Sequence, residues 1–355
     1  MTFLNRTGLA KLGGKPVQGA ILFASSPAEY GVPLAEPEIV AMQLLSRRSL
    51  ELAGLAKNDR VLFAINHDGS PSVGLLAQAA APMVSSTSVT SPRGRLRLLS
   101  TVRTLKPNVL VTTPCGAADF LARLYMEFNV DPVELNLTKI ILVGEIASPG
   151  VRKRIAKEFE ADLSEVYCDP VFGAALAARR SGNWELADEN ALAIGALASD
   201  DILSEGLSAD GELLLRPTWS AAMSNSVIRT GHVIKGDTAD AGLFNHTVGD
   251  HVLARGQSVS LPLIRRQLAL IDGISRWTLT IDRGDRTLDN LVLTVAFDRE
   301  TLVSNPMWKG RIQQSLSAAT QVHVEVKTEF LSSDQAKERE VVVDLRGHHL
   351  GVKRA

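Results

Sequence analysis

The stretch "KIILVGEIASPGVRKRIAKEFEADLSEVYCDP", residues Lys139–Pro170, decides the fold class. It opens on an apolar β run, breaks at Gly144, and restarts behind Ser148 and Pro149, a good N-cap followed by a first-turn proline. "GVRKRIAKEFE" then reads as an amphipathic helix, and "LSEVYCDP" returns to a strand. Two strands joined by a helix of this length form a βαβ unit with parallel pairing. Ligands of such sheets are expected near the carboxyl ends of the strands.

The same alternation extends back to Arg60. "RVLFAIN", "MVSSTSV" and "NVLVTT" read as strands, and "SVGLLAQAAA", "RGRLRLLSTVRTL" and "AADFLARLYMEF" as the helices between and after them. From Gly195 to Lys235 the pattern changes: "DGELLLRPT" and "NSVIRTGHVI" are β segments separated by loops, a β region appended to the α/β core. After His246 it changes again. A helix at "LPLIRRQLALIDG", strands at "RWTLTIDR" and "NLVLTVAF", a helix at "PMWKGRIQQSLSAAT" and a strand at "VHVEVKTEF" predict a small α+β module. The expected fold class is thus α/β, a large domain over 1–246 with mostly parallel sheets flanked by helices, and a small C-terminal domain over 247–355.

Composition narrows the function classes. The 355 residues are 45% apolar and 22% charged, enough to bury a large core and too apolar for disorder. Lys plus Arg, 38, balances Asp plus Glu, 39, which removes the footprint of a general nucleic-acid or anionic-membrane binder. Two cysteines, Cys115 and Cys168, give neither a disulfide framework nor metal spacing, and a cytoplasmic location is expected. The most apolar run, "SVGLLAQAAAPMV" at Ser72–Val84, is too short to span a bilayer.

The order of landmarks along the chain resembles the adenylate-forming (AMP-binding, acyl-CoA synthetase) superfamily, and most closely its phenylacetate–coenzyme A ligase group. The landmarks are a Ser-Ser loop in "LFASSPAEYGVPL", then "LVGEIASPGVRKRI", "EVYCDP", "DGELLL…VIRTGHVI", "GDHVLARGQSVSLPLIRRQL" and a closing "VVVDLR" at Val341–Arg346. The resemblance implies ATP- and Mg²⁺-dependent activation of a small carboxylic acid to an acyl-adenylate, with coenzyme A as a frequent acceptor and a mobile small domain. That chemistry needs phosphate contacts, a metal-holding carboxylate, a ribose anchor and a lysine on the transferring charge.

Carried over residue by residue, the motifs are degenerate. Ser25, Ser26, Gly31 and Pro33 match the family's front loop, but Pro27, Val32 and Leu34 take the places of a glycine, the lysine and a threonine. Proline removes an N–H donor and fixes φ, so a triphosphate cradle cannot form there in the usual way. Gly144 and Glu145 match the segment that packs along adenine in relatives, or else mark an ordinary strand end. Tyr167 matches the adenine-stacking tyrosine. The Mg²⁺-binding glutamate aligns with Val171, which cannot hold a metal, leaving Asp169 as a nearby substitute. Arg229 is kept from the Tyr-Arg-Thr-Gly-Asp motif, while its ribose-binding aspartate has become His232, to be read as a ribose contact or as a surface-loop histidine. Asp250 fits the hinge position, and Lys337 recovers the C-terminal catalytic lysine only with a one-residue shift from Glu338. Relatives also carry a longer segment before the Ser-Ser loop.

Four altered contacts around one nucleotide leave two main readings. One is a catalytically degenerate member that binds AMP or ATP, an acyl ligand or a partner protein without ordinary adenylation. The other is an active acid-activating ligase that uses Asp169, His232 and Lys337 in a remodelled site. An unrelated doubly wound protein is the third alternative. A homodimer is the oligomeric state that the resemblance implies.

Overall fold

The alternation from Arg60 onward folds as a doubly wound sheet. The computed structural model describes residues 2–5, 8–9, 21–24, 31–65, 71–92, 94–220, 223–236, 242–284, 287–332 and 338–351. Two compact units divide the chain, Met1–Asn245 and His246–Arg354.

In the first unit the elements run β1 (Thr2–Leu4), β2 (Ile21–Ala24), β3 (Gly31–Leu34), α1 (Glu36–Leu52), β4 (Arg60–Ala64), α2 (Pro71–Ala80), β5 (Ser86–Thr90) and α3 (Arg95–Leu105). They continue with β6 (Val109–Thr112), α4 (Pro114–Arg123), β7 (Lys139–Val143), α5 (Pro149–Phe159), β8 (Asp162–Cys168), β9 (Ala175–Arg179) and β10 (Glu185–Leu186). Strands β11 (Leu192–Gly195), β12 (Ile202–Ser204), β13 (Gly211–Leu215) and β14 (Ser226–Ile234) complete the unit.

The main sheet has the order β10-β9-β8-β7-β6-β4-β5. Its β4 to β8 stretch is parallel, and β9 and β10 turn back antiparallel. Its central strands are buried on both faces, so they read as unbroken apolar runs. Val61, Phe63, Val111 and Ile141 pack under α1 and α2. Leu62, Leu110, Ile140 and Leu142, one residue out of phase, pack under α3, α4 and α5. The expected N-cap holds: Ser148 Oγ accepts the Val151 N–H at 3.3 Å.

A second sheet, β1-β14-β13-β11-β12, is the appended β region. Strands β2 and β3 pair antiparallel, Ala24 opposite Gly31, which puts Gly31 in a ladder. Ser25 and Ser26 lie outside the described residues.

One helix has no counterpart in the sequence reading. The buried positions of α1 include Ser46 and Ser49 beside Met42 and Leu50. Ser49 Oγ donates to the Ala175 carbonyl at 2.9 Å, and Ser46 Oγ accepts the Ala175 N–H at 3.1 Å. A helix that buries serines against a strand's first residue shows no clean apolar stripe, so its period is faint.

The second unit begins at β15 (His246–Thr247), followed by the hairpin β16 (His251–Ala254) and β17 (Gln257–Ser260). Arg255 and Gly256 form its two-residue turn with φ of 51° and 69°, the double left-handed geometry that matches strand twist. Helix α6 (Leu261–Leu268), strands β18 (Ile274–Asp282) and β19 (Asn290–Phe297), helices α7 (Glu300–Val303) and α8 (Pro306–Ala319), and strands β20 (Glu325–Phe330) and β21 (Glu340–Asp344) follow. The sheet order is β20-β19-β18-β21. Alternate residues Trp277, Leu279, Ile281, Leu291, Leu293 and Val295 point to one core with Ile264, Ile312 and Leu316 of the helices.

Candidate functional site

Strands β7 and β8 end side by side, and their carboxyl ends carry the residues that the sequence singled out. Gly144, with φ of 72°, lets the chain leave β7 in a left-handed turn that leaves open space where a side chain would stand. The carboxylate of the next residue, Glu145, accepts the Cys115 N–H at 2.9 Å. It therefore satisfies a donor in the first turn of α4, where a negative charge is favoured.

Tyr167 is buried on β8. Its hydroxyl bonds His232 Nδ1 at 3.2 Å. His232 is not a surface-loop histidine: it lies inside β14, 8% exposed, with its N–H donating to Thr230 Oγ1 at 3.1 Å. Its ring stacks on Phe244 with centroids 3.9 Å apart and planes 3° from parallel. Tyr167 meets both rings edge-on, at 5.8 Å to His232 and 5.9 Å to Phe244.

A cleft opens beside this cluster, lined by Gly144, Glu145, Glu165, Tyr167, Trp184 and Phe244 among others. About 20 Å³ of it is free, against the ~10–15 Å³ that one water requires. That is room for about one water within the cleft. Glu165 lies two residues before Tyr167 on the same strand face and takes Arg152 Nη1 at 2.9 Å and Arg179 Nε at 3.0 Å, both on Oε2. Burial pushes its carboxyl up to about 7, against the pull of Arg152. Trp184 covers the Arg179 guanidinium at 5.1 Å.

Asp169 is not poised for a metal. Its Oδ1 accepts the N–H groups of Val171 and Phe172 at 2.9 and 2.7 Å, and its Oδ2 that of Ala174 at 2.8 Å. Burial raises its carboxyl to about 6, with those backbone bonds working the other way. Val171 itself is buried and apolar. The described residues contain no group of three or more His, Cys, Asp and Glu able to hold an ion. The residues present at this strand end do not fit Mg²⁺. Burial, helped by the Asp169 charge, raises the Cys168 thiol far above neutrality, which keeps it a packing group.

Arg229 is likewise committed elsewhere. Nη1 reaches Glu212 at 2.6 Å and the Ala196 carbonyl at 3.1 Å, Nη2 reaches Asp200 at 2.9 Å and the Ser199 carbonyl, and Nε reaches Asp200 at 3.3 Å. Glu212 is fully buried and also accepts the Gly231 N–H at 2.9 Å. The kept "Arg-Thr-Gly" is thus the brace of the β13–β14 pair.

In the second unit Asp250 is half-buried; its carbonyl accepts the Leu261 N–H at 3.0 Å and its carboxylate stands 4.0 Å from Arg265. Lys337 lies outside the described residues, and Glu338 is exposed.

Of the expected residues, Gly144, Glu145, Tyr167 and His232 come together. Glu165, Trp184 and Phe244 join them without having been singled out. Glu165 had a signal, its two-residue spacing from Tyr167 on a strand; Phe244, alone in "AGLFNHT", had none.

No family model matches the sequence, and no curated protein matches it. Solved structures do share its fold. A 2-hydroxyisobutyryl-CoA ligase in complex with 2-HIB-AMP and CoA aligns with a TM-score of 0.79 at 13% identity, over 97% of this chain and 80% of that one. The amide bond synthetase McbA from Marinactinospora thermotolerans gives 0.66 at 16% identity, over 90% and 68%. A double mutant of o-succinylbenzoate CoA synthetase from Bacillus subtilis, bound with its product analogue, gives 0.60 at 11%, over 85% and 62%. The fold is that of the adenylate-forming acid–CoA ligases, with its C-terminal domain.

Proposed function

We propose that this chain is a phenylacetate–CoA ligase-like member of the adenylate-forming superfamily that has lost ordinary adenylation and works by binding an acyl ligand, a nucleotide or a partner protein. The observation that carries this reading is the Tyr167–His232–Phe244 cluster, which fills the strand-end site and leaves about 20 Å³. Val171 and the backbone-bound Asp169 support it, because neither offers a metal a free carboxylate. Losing one electrostatic contact to a developing charge typically costs ~10²–10³-fold in rate. Loss of the loop lysine, metal carboxylate and ribose carboxylate together abolishes the reaction even with strong non-additivity.

The active-ligase reading rests on a different observation, that both units of the ligase fold are present. Pyrophosphate release from ATP and Mg²⁺ over a panel of small aliphatic and aromatic acids separates the two. No acid-dependent release is expected. Thermal unfolding with AMP and with acyl-adenylate analogues then reports binding, since a ligand at 100 times its Kd stabilises by about 2.7 kcal/mol. Acid-dependent release above background would refute the degenerate reading.

A further inference from the structure

We infer that the segment Gly347–Gly351 is a strap that locks the residues by which the chain enters the second unit, and that protonation of its two histidines opens the lock. The strap leaves β21 by a turn, the Gly347 N–H donating to the Asp344 carbonyl at 3.1 Å with Gly347 at φ of 75°. It then runs parallel to the entry segment, with His349 paired to Thr247. The Thr247 N–H donates to the His348 carbonyl at 2.7 Å, and the Leu350 N–H to the Thr247 carbonyl at 2.8 Å. The Gly249 N–H reaches the Gly351 carbonyl at 2.9 Å. The clasp ends one residue before Asp250, the position that the sequence marks as the hinge.

The base of the strap and its arm are held differently. Arg346 is a fixed post, bonded to Asp289 at 2.7 Å, to the Leu253 carbonyl at 2.9 Å and to Asp344 at 2.9 Å. Beyond it, His349 donates its N–H to Asp344 Oδ2 at 3.1 Å, and its Nδ1 meets Thr247 Oγ1 at 3.1 Å. Its Nε2 is buried with no hydrogen-bond partner among the described residues. An imidazolium carries a donor on each nitrogen, so protonation leaves that N–H unpaired inside the closed arm. Opening hands it to water. Burial lowers both histidines from 6.5 to about 4; Arg346 adds to this at both, and Asp344 opposes it. Arg283 and Asp289 act in the same two senses on His348, and His246, Asp250 and His251 flank the clasped residues in sequence. The closed arm is therefore favoured in full above pH 6.5 and loses that advantage as pH falls toward 4. The lock stands or falls separately from the loss of adenylation.

The test is amide exchange of the full chain at pH 7.5 and pH 5, corrected for the intrinsic rate and read by mass spectrometry on peptides covering 246–251 and 347–351. Opening is expected to rise about 25-fold per histidine between the two, while β18 and β19 stay protected. His349→Gln should keep only the share of His348, and His348→Gln with His349→Gln should abolish the effect. Leu350→Pro deletes one clasping N–H at an exposed position, and is expected to speed exchange at 246–251 about tenfold at pH 7.5. If Leu350→Pro also unprotects β18 and β19, Thr247→Val, which removes the His349 partner, makes the comparison. Equal protection of 246–251 at the two pH values overturns the proposal. So does a pH effect that survives the double substitution, or unchanged protection of 246–251 in the folded strap variant.

Discussion

Replacing Asp169 distinguishes a structural carboxylate from a metal ligand. In Asp169→Ala the N–H groups of Val171, Phe172 and Ala174 lose acceptors now at 2.7–2.9 Å. Each buried donor left unpaired costs about 1–3 kcal/mol, roughly 6 kcal/mol for three at mid-range. Part of that is offset. Burial has moved the carboxyl from 3.8 to about 6, so the ionised form carries a penalty of about 3 kcal/mol that truncation relieves. The net loss is about 3 kcal/mol, or ~6–12 °C in Tm for a unit of this size. Asp169→Asn keeps an oxygen for Val171 and Phe172 but turns an NH₂ toward Ala174, for a loss of about 1–2 kcal/mol. The assay is urea unfolding with and without Mg²⁺, with amide exchange at residues 171–174 read by mass spectrometry. An Asp169→Ala variant within about 0.5 kcal/mol of wild type, or an Mg²⁺-dependent stabilisation of wild type that Asp169→Asn abolishes, would refute the reasoning. The pH dependence has a definite sign: a raised acid pKa means this group's contribution is whole below 3.8 and is lost as pH rises through about 6.

Other consequences follow from the same geometry. Glu212→Ala removes the buried acceptor of Arg229 Nη1 and of the Gly231 N–H while Asp200 still pairs the guanidinium, and should lower stability by about 2–4 kcal/mol, read by urea unfolding. Ser46→Ala and Ser49→Ala remove both side-chain bonds to Ala175; each should cost about 1 kcal/mol, with faster amide exchange in α1 as the local readout. In the second unit, burial lowers His348 and His349 from 6.5 to about 4, so both stay neutral when folded. Their contribution is whole above pH 6.5 and is lost as pH falls toward 4, about 1–2 kcal/mol each at pH 5. Amide exchange in β21 at pH 7.5 and 5 checks this, and His349→Gln should flatten the difference.

What could be read along the chain and what could not divide on physical grounds. A strand buried on both faces and a helix with one apolar face write their periods into the sequence, so "RVLFAIN", "KIILVGE" and "GVRKRIAKEFE" were legible as β4, β7 and α5. So was the α/β class, a mostly parallel sheet flanked by helices. Helix α1 was not, because its buried face is half serine and its partners lie on β9, far along the chain.

The candidate site shows the same divide more sharply. Residue type alone allowed Asp169 to be a metal ligand, Arg229 a nucleotide contact and His232 an exposed loop residue. Tertiary structure decided each one, by placing three backbone donors around Asp169, Glu212 and Asp200 around Arg229, and Phe244 against the His232 ring. A side chain's chemistry is a capacity, and its partners decide how that capacity is spent. The Arg229 partners lie 17 and 29 residues away and Tyr167, which bonds the His232 ring, lies 65 away, beyond the reach of any local pattern.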